Sequence, residues 1–380
     1  MTDPTRAGAP LCAFDLTPLQ LAESSGVGRY TRELLRGLEA APGGWRFGGL
    51  ANRPLALSGL RLTTPLLPAA PGPRRLIWIQ TGARVALRRA RPAVAHFTNM
   101  VAPVWAPCPV VLTVHDASLV LHPKLHAFRH WLAVRPMLPL MARRASAVIT
   151  VSESAKADIV ACLGVRPDRV RVIYNGPSDQ CRPVTEPDVI RSVRQRHGLP
   201  ERFFLFVGTL EPRKNALGLI NALAIARAVD PEMAVAMVGP LGWKYEATLV
   251  RIERLGLGRA VHRLGYVADG DLPALYSACQ AVVYPSLYEG FGFPIVEGMA
   301  CGAPVITSNV SSMREIAGQA GYLCDPRSPE AIARAMLDIA GNPELAAGLR
   351  AKGLVRAAQF SWRRAAAETL TVYESVAAPR

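Results

Sequence analysis

The chain has 380 residues, of which 50% are hydrophobic and 19% charged, and its formal net charge is +15. This length allows two domains of ordinary size, and this composition is that of a globular protein with a substantial core. No apolar run reaches the roughly 20 residues of a membrane-spanning helix, and no recognisable nucleic-acid-binding motif accompanies the positive charge. We therefore expect neither a transmembrane segment nor a nucleic-acid partner.

The cysteines and the first residues predict the compartment. The seven cysteines are scattered, odd in number and without a C-x-x-C pair. This pattern predicts a reducing cytoplasm, with neither a disulfide framework nor a zinc site. Residues 1–6 lead directly into a strand-like segment, so we also expect no signal peptide.

The first half of the chain alternates between predicted strands and helices. A Pro/Gly/Leu-rich tract over 49–73 is predicted to be irregular, and Asn175-Gly176-Pro177 marks a turn. Helices are also predicted after Gly28 and from Ser152. The predicted strands are 11–16, 93–97, 109–114, 147–151 and 170–174, and the other predicted helices are 74–90 and 126–144.

The second half repeats this alternation after a polar, proline-bearing segment at 178–199 that we interpret as a linker. Strands alternating with helices predict parallel sheets wrapped by helices, here two Rossmann-like α/β domains. Ligands of such sheets bind at the carboxyl ends of the strands. The predicted strands are 203–207, 234–238, 261–264, 281–284 and 304–306, and a last helix is predicted over 362–376.

The most informative segment begins at Glu289, continues as Gly-Phe-Gly-Phe-Pro-Ile-Val and ends at Glu297. A short β-branched run before it predicts a buried strand, and Pro294 suits the first turn of a helix. Gly290 and Gly292 let the backbone approach a ligand, and the helix N-terminus offers N–H groups to a phosphate. The carboxylates suit a neutral polyol, because ionised oxygens accept charge-assisted hydrogen bonds from hydroxyl groups. Together these features indicate a nucleotide-sugar site.

The longer string from Tyr284 to Ile306 resembles the E-x7-E signature of the retaining glycosyltransferases of family four. The resemblance implies the GT-B fold, with two Rossmann-like domains whose parallel sheets face a cleft. It implies an acceptor-binding domain over 1–178, a nucleotide-sugar-binding domain over 179–361 and a C-terminal helix over 362–380 that crosses back to the N-terminal domain. It also implies that Glu289 acts on the sugar as a catalytic group, with a donor-binding set of Gly290, Phe291, Gly292 and Glu297.

The loop 208–215 carries two adjacent cations between a predicted strand and a predicted helix. Arg213 and Lys214 stand where a forked guanidinium and an ammonium could meet a diphosphate. In the family, basic residues of this loop neutralise the leaving nucleoside diphosphate, which implies that role here. Thr209 stands where one common form of the family has arginine, and a solvated basic loop is the alternative interpretation.

The segment Ser25-Gly-Val-Gly28 follows the first predicted strand. It resembles a dinucleotide fingerprint, but Thr31 replaces the third glycine and no acidic residue ends a strand about 20 residues later, which argues against a dehydrogenase. It also matches the family's N-terminal glycine loop, which implies that Gly26 and Gly28 lie over the donor phosphates. A plain strand–helix turn is the alternative.

His115 and Asp116 directly follow a predicted strand. The segment 111–119 resembles the family's donor-facing histidine segment, which implies that His115 bonds sugar hydroxyls; Asp116 could orient the imidazole or bind an acceptor hydroxyl.

The segment around Tyr266 resembles the loop that contacts the nucleotide base. Asp269-Gly-Asp271 has the form of a metal-binding D-x-D, but its place before a helix favours capping, so we expect no metal or other cofactor.

These resemblances imply a retaining hexosyltransferase that serves a growing or lipid-linked cell-surface glycan. Within the family, the His115 segment and the 208–215 loop look most like bacterial polysaccharide mannosyltransferases, so GDP-mannose is the first expected donor. UDP-glucose or UDP-galactose as donor, a nucleotide-sugar 2-epimerase and a non-catalytic nucleotide-sugar-binding subunit are the alternatives.

Basic residues cluster in the first half of the chain around two aliphatic and tryptophan-containing runs, 76–79 and 131–134. Such segments suit helices lying on an anionic membrane surface, and ordinary amphipathic helices with solvated arginines are the alternative. We therefore expect a cytoplasmic protein, with the inner face of the plasma membrane as a candidate partner. The basic residues are Arg74, Arg75, Arg84, Arg88, Arg89, Arg91, Arg129, Arg135, Arg143 and Arg144.

Overall fold

The computed structural model describes residues 8–20, 26–42, 44–55, 65–68, 71–72, 74–125 and 134–377. The chain divides into two compact units, which we call the N-terminal unit (Met1–Asn175 with Ser361–Arg380) and the C-terminal unit (Gly176–Phe360). Among the described residues, no helix is both long enough and apolar enough to cross a membrane.

The N-terminal unit is built on a six-stranded sheet with the order β2-β1-β3-β4-β5-β6, in which neighbouring strands pair in parallel. Five of these strands are buried along most or all of their length, as expected of a parallel sheet covered on both faces. The strands are β1 (Leu11–Asp15), β2 (Arg46–Leu50), β3 (Val94–Phe97), β4 (Val110–Thr113), β5 (Ala147–Thr150) and β6 (Val170–Val172). The described helices are α1 (Gly26–Ala40), α2 (Arg75–Gln80), α3 (Gly82–Ala90), α4 (Ser118–Leu121), α5 (Leu138–Arg144) and α6 (Glu153–Leu163).

The C-terminal unit has a second six-stranded parallel sheet with the order β12-β11-β10-β7-β8-β9. Its strands are β7 (Phe204–Val207), β8 (Val235–Val238), β9 (Val261–Gly265), β10 (Val282–Tyr284), β11 (Val305–Ser308) and β12 (Tyr322–Cys324). Its helices are α7 (Pro187–Arg196), α8 (Ala216–Arg227), α9 (Glu246–Arg254), α10 (Leu272–Ala278), α11 (Phe293–Ala300), α12 (Ser311–Ala317), α13 (Pro329–Gly341) and α14 (Pro343–Ala357).

The last helix, α15 (Trp362–Ala377), belongs to the N-terminal unit and packs on α1. Gly37 of α1 lies directly beneath it: a Cβ at that position would stand 2.9 Å from the Trp362 carbonyl oxygen. A larger side chain at position 37 would therefore separate the two helices.

The prediction of two parallel sheets wrapped by helices is confirmed, and the errors lie at the sheet edges and in the connections. Both missed strands, β2 and β12, are edge strands. β2 reads Arg-Phe-Gly-Gly-Leu, and glycine disfavours strands, so only its pairing with β1 makes it one. The irregular tract predicted from residue 49 therefore begins inside β2, and residues 56–64, 69–70 and 73 of that tract lie outside the described residues.

Three connections also differ from the predictions. The helix predicted over 74–90 is two helices separated at Thr81, where the indole of Trp78 packs against Gly82. The helix predicted over 126–144 is described only from residue 134, and there α5 begins at Leu138. The segment 178–199, predicted as a linker, contains α7.

Two glycines bring the carboxyl ends of β7 and β8 together. Gly239 has φ +132°, and a Cβ there would stand 2.2 Å from the carbonyl oxygen of Gly208, which only glycine avoids. This close approach fixes the start of the loop that follows β7.

Candidate functional site

The loop after β7 is tied to the loop after β10 by Asn215. This residue adopts a left-handed backbone (φ 57°), and its side-chain oxygen accepts a hydrogen bond from Gly218 N, which caps α8. Its amide nitrogen donates to the carbonyls of Pro285 (3.1 Å) and Pro326 (2.7 Å). Because Arg213 and Lys214 directly precede Asn215, this anchor places both cations beside the segment that leads to Glu289.

Glu289 is buried at the centre of a charge cluster in the C-terminal unit whose two cations, Arg213 and Lys214, are partly buried. Its Oε2 accepts from Arg213 Nη1 at 2.6 Å, and its Oε1 accepts from Lys214 Nζ at 2.6 Å. Tyr284 also donates to Oε1, at 2.9 Å, and its hydroxyl accepts from Lys214 Nζ. On the far side, Arg213 Nη2 lies 2.9 Å from Glu211 Oε1. Arg213 is thus held between two carboxylates, and Glu289 between two cations.

The electrostatics of this charge cluster (Glu211, Arg213, Lys214 and Glu289) keep Glu289 ionised. Burial alone would raise the pKa of its carboxyl, but the Arg213 and Lys214 charges and the bonds from Lys214 and Tyr284 lower that pKa to about 2. Burial lowers the pKa of the Lys214 ammonium and raises that of the Glu211 carboxyl. Two acids and two cations give the cluster a formal charge of zero, so an arriving anion would compete with Glu289 for the cations.

The main chain of Glu289 is held by the first turn of α12. Its carbonyl oxygen accepts from the hydroxyls of Ser311 (2.6 Å) and Ser312 (2.8 Å), and its N–H donates to Ser311 Oγ at 3.3 Å. Ser311 has φ +55°, an uncommon conformation for a residue other than glycine. Both the backbone and the carboxylate of Glu289 are therefore fixed in place.

The turn after Glu289 runs into α11 as the sequence predicts. Gly292 has φ +96° at the N-cap, and Pro294 lies in the first turn. Gly290 is buried, and the ring of Phe291 packs edge-on against Phe293 and Phe360. The side chain of Phe291 thus belongs to the interior of the C-terminal unit.

Glu297 lies in α11 with 1% of its surface exposed, and its Oε2 accepts from the Tyr276 hydroxyl at 3.0 Å. Tyr266, at the carboxyl end of β9, is 63% exposed and presents its ring to solvent. Asp271 stands at the N-cap of α10 but makes no capping bond there. It pairs instead with Arg196 and His197, so the predicted capping role is wrong.

In the N-terminal unit, His115 follows β4 and is held from two sides. Its Nε2 lies 2.9 Å from the carbonyl oxygen of Thr98, and the Tyr30 ring meets it edge-on at 4.6 Å. A carbonyl oxygen can only accept, so Nε2 carries the proton and Nδ1 carries the lone pair of the neutral ring. Burial lowers the pKa of the imidazole, which keeps it neutral. His115 can therefore accept a hydrogen bond from a hydroxyl group through Nδ1.

The other predicted residues of this unit lie in local structure. Asp116 Oδ1 accepts from the main-chain N–H and the hydroxyl of Ser118, at the start of α4. Gly26 and Gly28 lie in the first turn of α1 rather than in a loop before it, and Ser25 lies outside the described residues.

The sequence did not single out Glu211, Tyr284, Ser311 or Ser312. The charge cluster forms from segments about 70 residues apart, so no local spacing marks it. The one available signal for Glu211 was its place on the loop that carries Arg213 and Lys214.

Two family descriptions match the chain: "Glycosyltransferase Family 4" over residues 24–179 and "Glycosyl transferases group 1" over residues 190–354. The O-antigen chain mannosyltransferase B of Escherichia coli is 31% identical over 327 residues, which cover 86% of this chain and 81% of that protein. The serotype-specific mannosyltransferase WbdA of Escherichia coli is 32% identical over 230 residues, or 59% of this chain and 28% of that longer protein.

Among solved structures, Anabaena HepE in complex with UDP and glucose has a TM-score of 0.77 at 22% identity, over 97% of this chain and 100% of that one. The fold is therefore that of a GT-B transferase, with two Rossmann-like domains. The extent of the similarity to mannosyltransferase B further shows that the chain belongs to the group 1/family 4 glycosyltransferases.

Proposed function

We propose that this glycosyltransferase is a retaining enzyme that moves a hexose from a nucleoside-diphosphate sugar to a lipid-linked or growing cell-surface glycan. The observation that carries the proposal is the pairing of the buried Glu289 with Arg213 and Lys214 beside the N-terminus of α11. One carboxylate, two cations and a helix N-terminus are the groups needed to hold a sugar and its diphosphate together.

Donor binding would redistribute the bonds of this charge cluster. A diphosphate offers Arg213 and Lys214 anionic oxygens, and this exchange frees the Glu289 carboxylate to accept hydrogen bonds from sugar hydroxyls. Glu289 then stabilises positive charge that develops at the anomeric carbon. The two cations stabilise the leaving group, so the proposed mechanism is metal-independent and uses no cofactor.

The reaction breaks the bond between the anomeric carbon and the phosphate oxygen, and that oxygen keeps the electron pair. The acceptor hydroxyl attacks from the face that the leaving group vacates, and a phosphate oxygen of the leaving group takes its proton. His115 would bond a hydroxyl of the transferred sugar through Nδ1. Such front-face attack preserves the anomeric configuration without a covalent intermediate.

GDP-mannose is the donor substrate that we propose first, because the similar proteins from Escherichia coli are named as mannosyltransferases. UDP-glucose or UDP-galactose is the alternative, favoured by the UDP in the similar HepE structure. The other alternative is a nucleotide-sugar 2-epimerase, which would convert the nucleotide sugar to its epimer without needing an acceptor.

Thermal-shift titration with GDP, UDP and dTDP tests the nucleotide site and its base preference. A ligand present at 100 times its Kd stabilises the folded protein by about 2.7 kcal/mol. We expect the largest shift with GDP. The absence of a shift with all three nucleotides would contradict a nucleotide-sugar site.

Glu297→Ala is expected to weaken nucleotide binding about ten- to a hundredfold, because Glu297 is proposed to accept from the ribose diol. A hydrogen bond to a charged group contributes roughly 1.5–3 kcal/mol. GDP and the GDP-sugar should be affected alike in calorimetric titrations. Glu344→Ala, which removes an exposed helix acid of α14, is the matched control. Unchanged nucleotide affinity in Glu297→Ala would rule out the ribose contact.

We further propose that the N-terminal unit contacts an anionic membrane surface. Residues 40–152 contain 14 arginines and lysines and one acidic residue, Asp116, so they carry +13 of the net +15. Their described surface includes Trp105, which is 59% exposed and stacked beneath the Arg144 guanidinium at 3.7 Å. An exposed indole beside arginines suits the interface between lipid headgroups and acyl chains.

Replacing Arg84, Arg88 and Arg89 together by glutamine is expected to reduce co-sedimentation with anionic vesicles. Each basic residue near such a surface contributes about 1 kcal/mol, screened over about 10 Å at 0.1 M salt. The control replaces three exposed arginines of the C-terminal unit, Arg182, Arg254 and Arg259, by glutamine. If the wild type binds neutral and anionic vesicles equally, or binds neither, the membrane proposal fails.

A further inference from the structure

A chain of buried hydrogen bonds runs across the N-terminal unit from its last helix to α1. The Tyr373 hydroxyl of α15 lies 2.6 Å from His96 Nδ1, and His96 Nε2 lies 2.8 Å from Thr113 Oγ1. That oxygen lies 3.1 Å from the Tyr30 hydroxyl. All four side chains are buried, three of them completely. This chain of hydrogen bonds thus connects α15, β3, β4 and α1 through side chains that are buried from solvent.

The two ring nitrogens of His96 make the bonds of this chain interdependent. Burial lowers the pKa of His96 to about 3, so the ring is neutral and has one N–H and one lone pair. One of the hydroxyls that flank the ring must therefore donate to it and the other must accept from it. Removing the Tyr373 hydroxyl leaves a buried nitrogen without its partner, and the remaining groups must rearrange to satisfy it.

Tyr30, at the end of this chain of hydrogen bonds, contacts the imidazole of His115 and so helps to fix its position. The Tyr30 ring meets the His115 imidazole edge-on, at 4.6 Å and an interplanar angle of 87°. A second contact on the imidazole comes from the carbonyl oxygen of Thr98, whose hydroxyl lies 2.9 Å from that of Thr31, one residue beyond Tyr30 on α1. A shift of α1 would therefore move both groups that hold the imidazole.

The geometry points to Tyr373 as a positioning residue for His115, acting through His96, Thr113 and Tyr30. The C-terminal helix then does more than cover the N-terminal sheet, because it completes the polar chain that orients a donor-facing group. This inference rests on the proposed role of His115 in glycosyl transfer.

The test is a double-mutant cycle with Tyr373→Phe and His115→Ala, measured as kcat and KM for sugar transfer. Tyr373→Phe should lower kcat about ten- to a hundredfold with little change in donor KM, because misplacing a reacting group by about 1 Å costs up to about a hundredfold. In the His115→Ala background the same change should have almost no effect. Tyr322→Phe, which removes a hydroxyl bound to Asp338 in the C-terminal unit, should match the wild type.

A nitrogen-15 spectrum of the histidine rings separates this inference from the proposed function. The His115 signals should shift in Tyr373→Phe but not in Tyr322→Phe, whether or not the protein transfers a sugar. Equal losses of kcat in both His115 backgrounds, or unmoved His115 signals, would overturn the inference. If Tyr373→Phe does not fold, Thr113→Val breaks the same chain at its middle link and is measured in the same way.

Discussion

Replacing Glu289 by glutamine is expected to lower the rate of glycosyl transfer by about 10²–10³, the usual cost of losing one preorganised electrostatic contact in a transition state. The amide keeps the shape and one acceptor oxygen but removes the charge that would face the anomeric carbon. Nucleoside diphosphate affinity should not fall below the wild-type value, because Arg213 and Lys214 no longer have to leave a carboxylate to bind phosphate. Measuring both quantities on one preparation separates the two effects.

The matched control for this change is Glu246→Gln, which removes an exposed acid from the first turn of α9. It should behave as the wild type in both assays. Removing one partner of a buried ion pair can also destabilise the fold by about 3–5 kcal/mol. The Glu289→Gln assays should therefore be run well below the Tm measured for that variant. Near-normal turnover would reduce Glu289 to a structural partner of the two cations.

Lys214→Met is expected to lower both the nucleoside diphosphate affinity and the rate of glycosyl transfer. Lys214 is proposed to contact the diphosphate in the ground state and in the transition state. Loss of a charged hydrogen bond, worth roughly 1.5–3 kcal/mol, predicts about a ten- to hundredfold weaker nucleoside diphosphate affinity. The transfer rate should fall by about 10²–10³. Methionine preserves the aliphatic stem that packs near Gly208, so a loss reports the charge rather than the packing. Calorimetric titration and initial rates provide the two measurements.

Lys352→Met, which removes an exposed lysine of α14, provides the control. The affinity distinguishes the two site variants: it should fall in Lys214→Met and persist in Glu289→Gln. If Lys214→Met kept full nucleotide affinity, Lys214 would serve only to neutralise Glu289, and another group would have to bind the diphosphate.

The fold class was predictable from the sequence because buried parallel strands are continuous apolar runs, such as Phe204–Val207 and Val235–Val238. The strands that were missed, β2 and β12, lie at sheet edges and depend on a neighbouring strand. α7 escaped prediction because its segment is polar, with Val193 its only buried residue. Local composition therefore identified the sheet centres but not the edges or the connections.

The candidate site was predictable only in part, because several of its contacts join segments that are distant in the sequence. Glycine and proline have local effects, so the turn at Gly292 and the start of α11 at Phe293–Pro294 could be predicted from the sequence. The pairing of Glu289 with Arg213 and Lys214 depends on the anchor that Asn215 provides between distant loops. The packing of the Phe291 ring and the pairing of Asp271 with Arg196 likewise arise from tertiary contacts that no local pattern encodes.

The most direct measurement is the anomeric configuration of the product. The nucleotide sugar that the thermal-shift titration selects is supplied with carbon-13 at its anomeric carbon, together with a lipid-linked glycan acceptor, and followed by NMR in wild-type protein and in Glu289→Gln. We predict a new glycosidic signal with the donor's own configuration, released nucleoside diphosphate in equal amount, and a rate about 10²–10³ lower in the variant. An inverted product, or a 2-epimer formed without acceptor, would contradict a retaining transferase centred on Glu289.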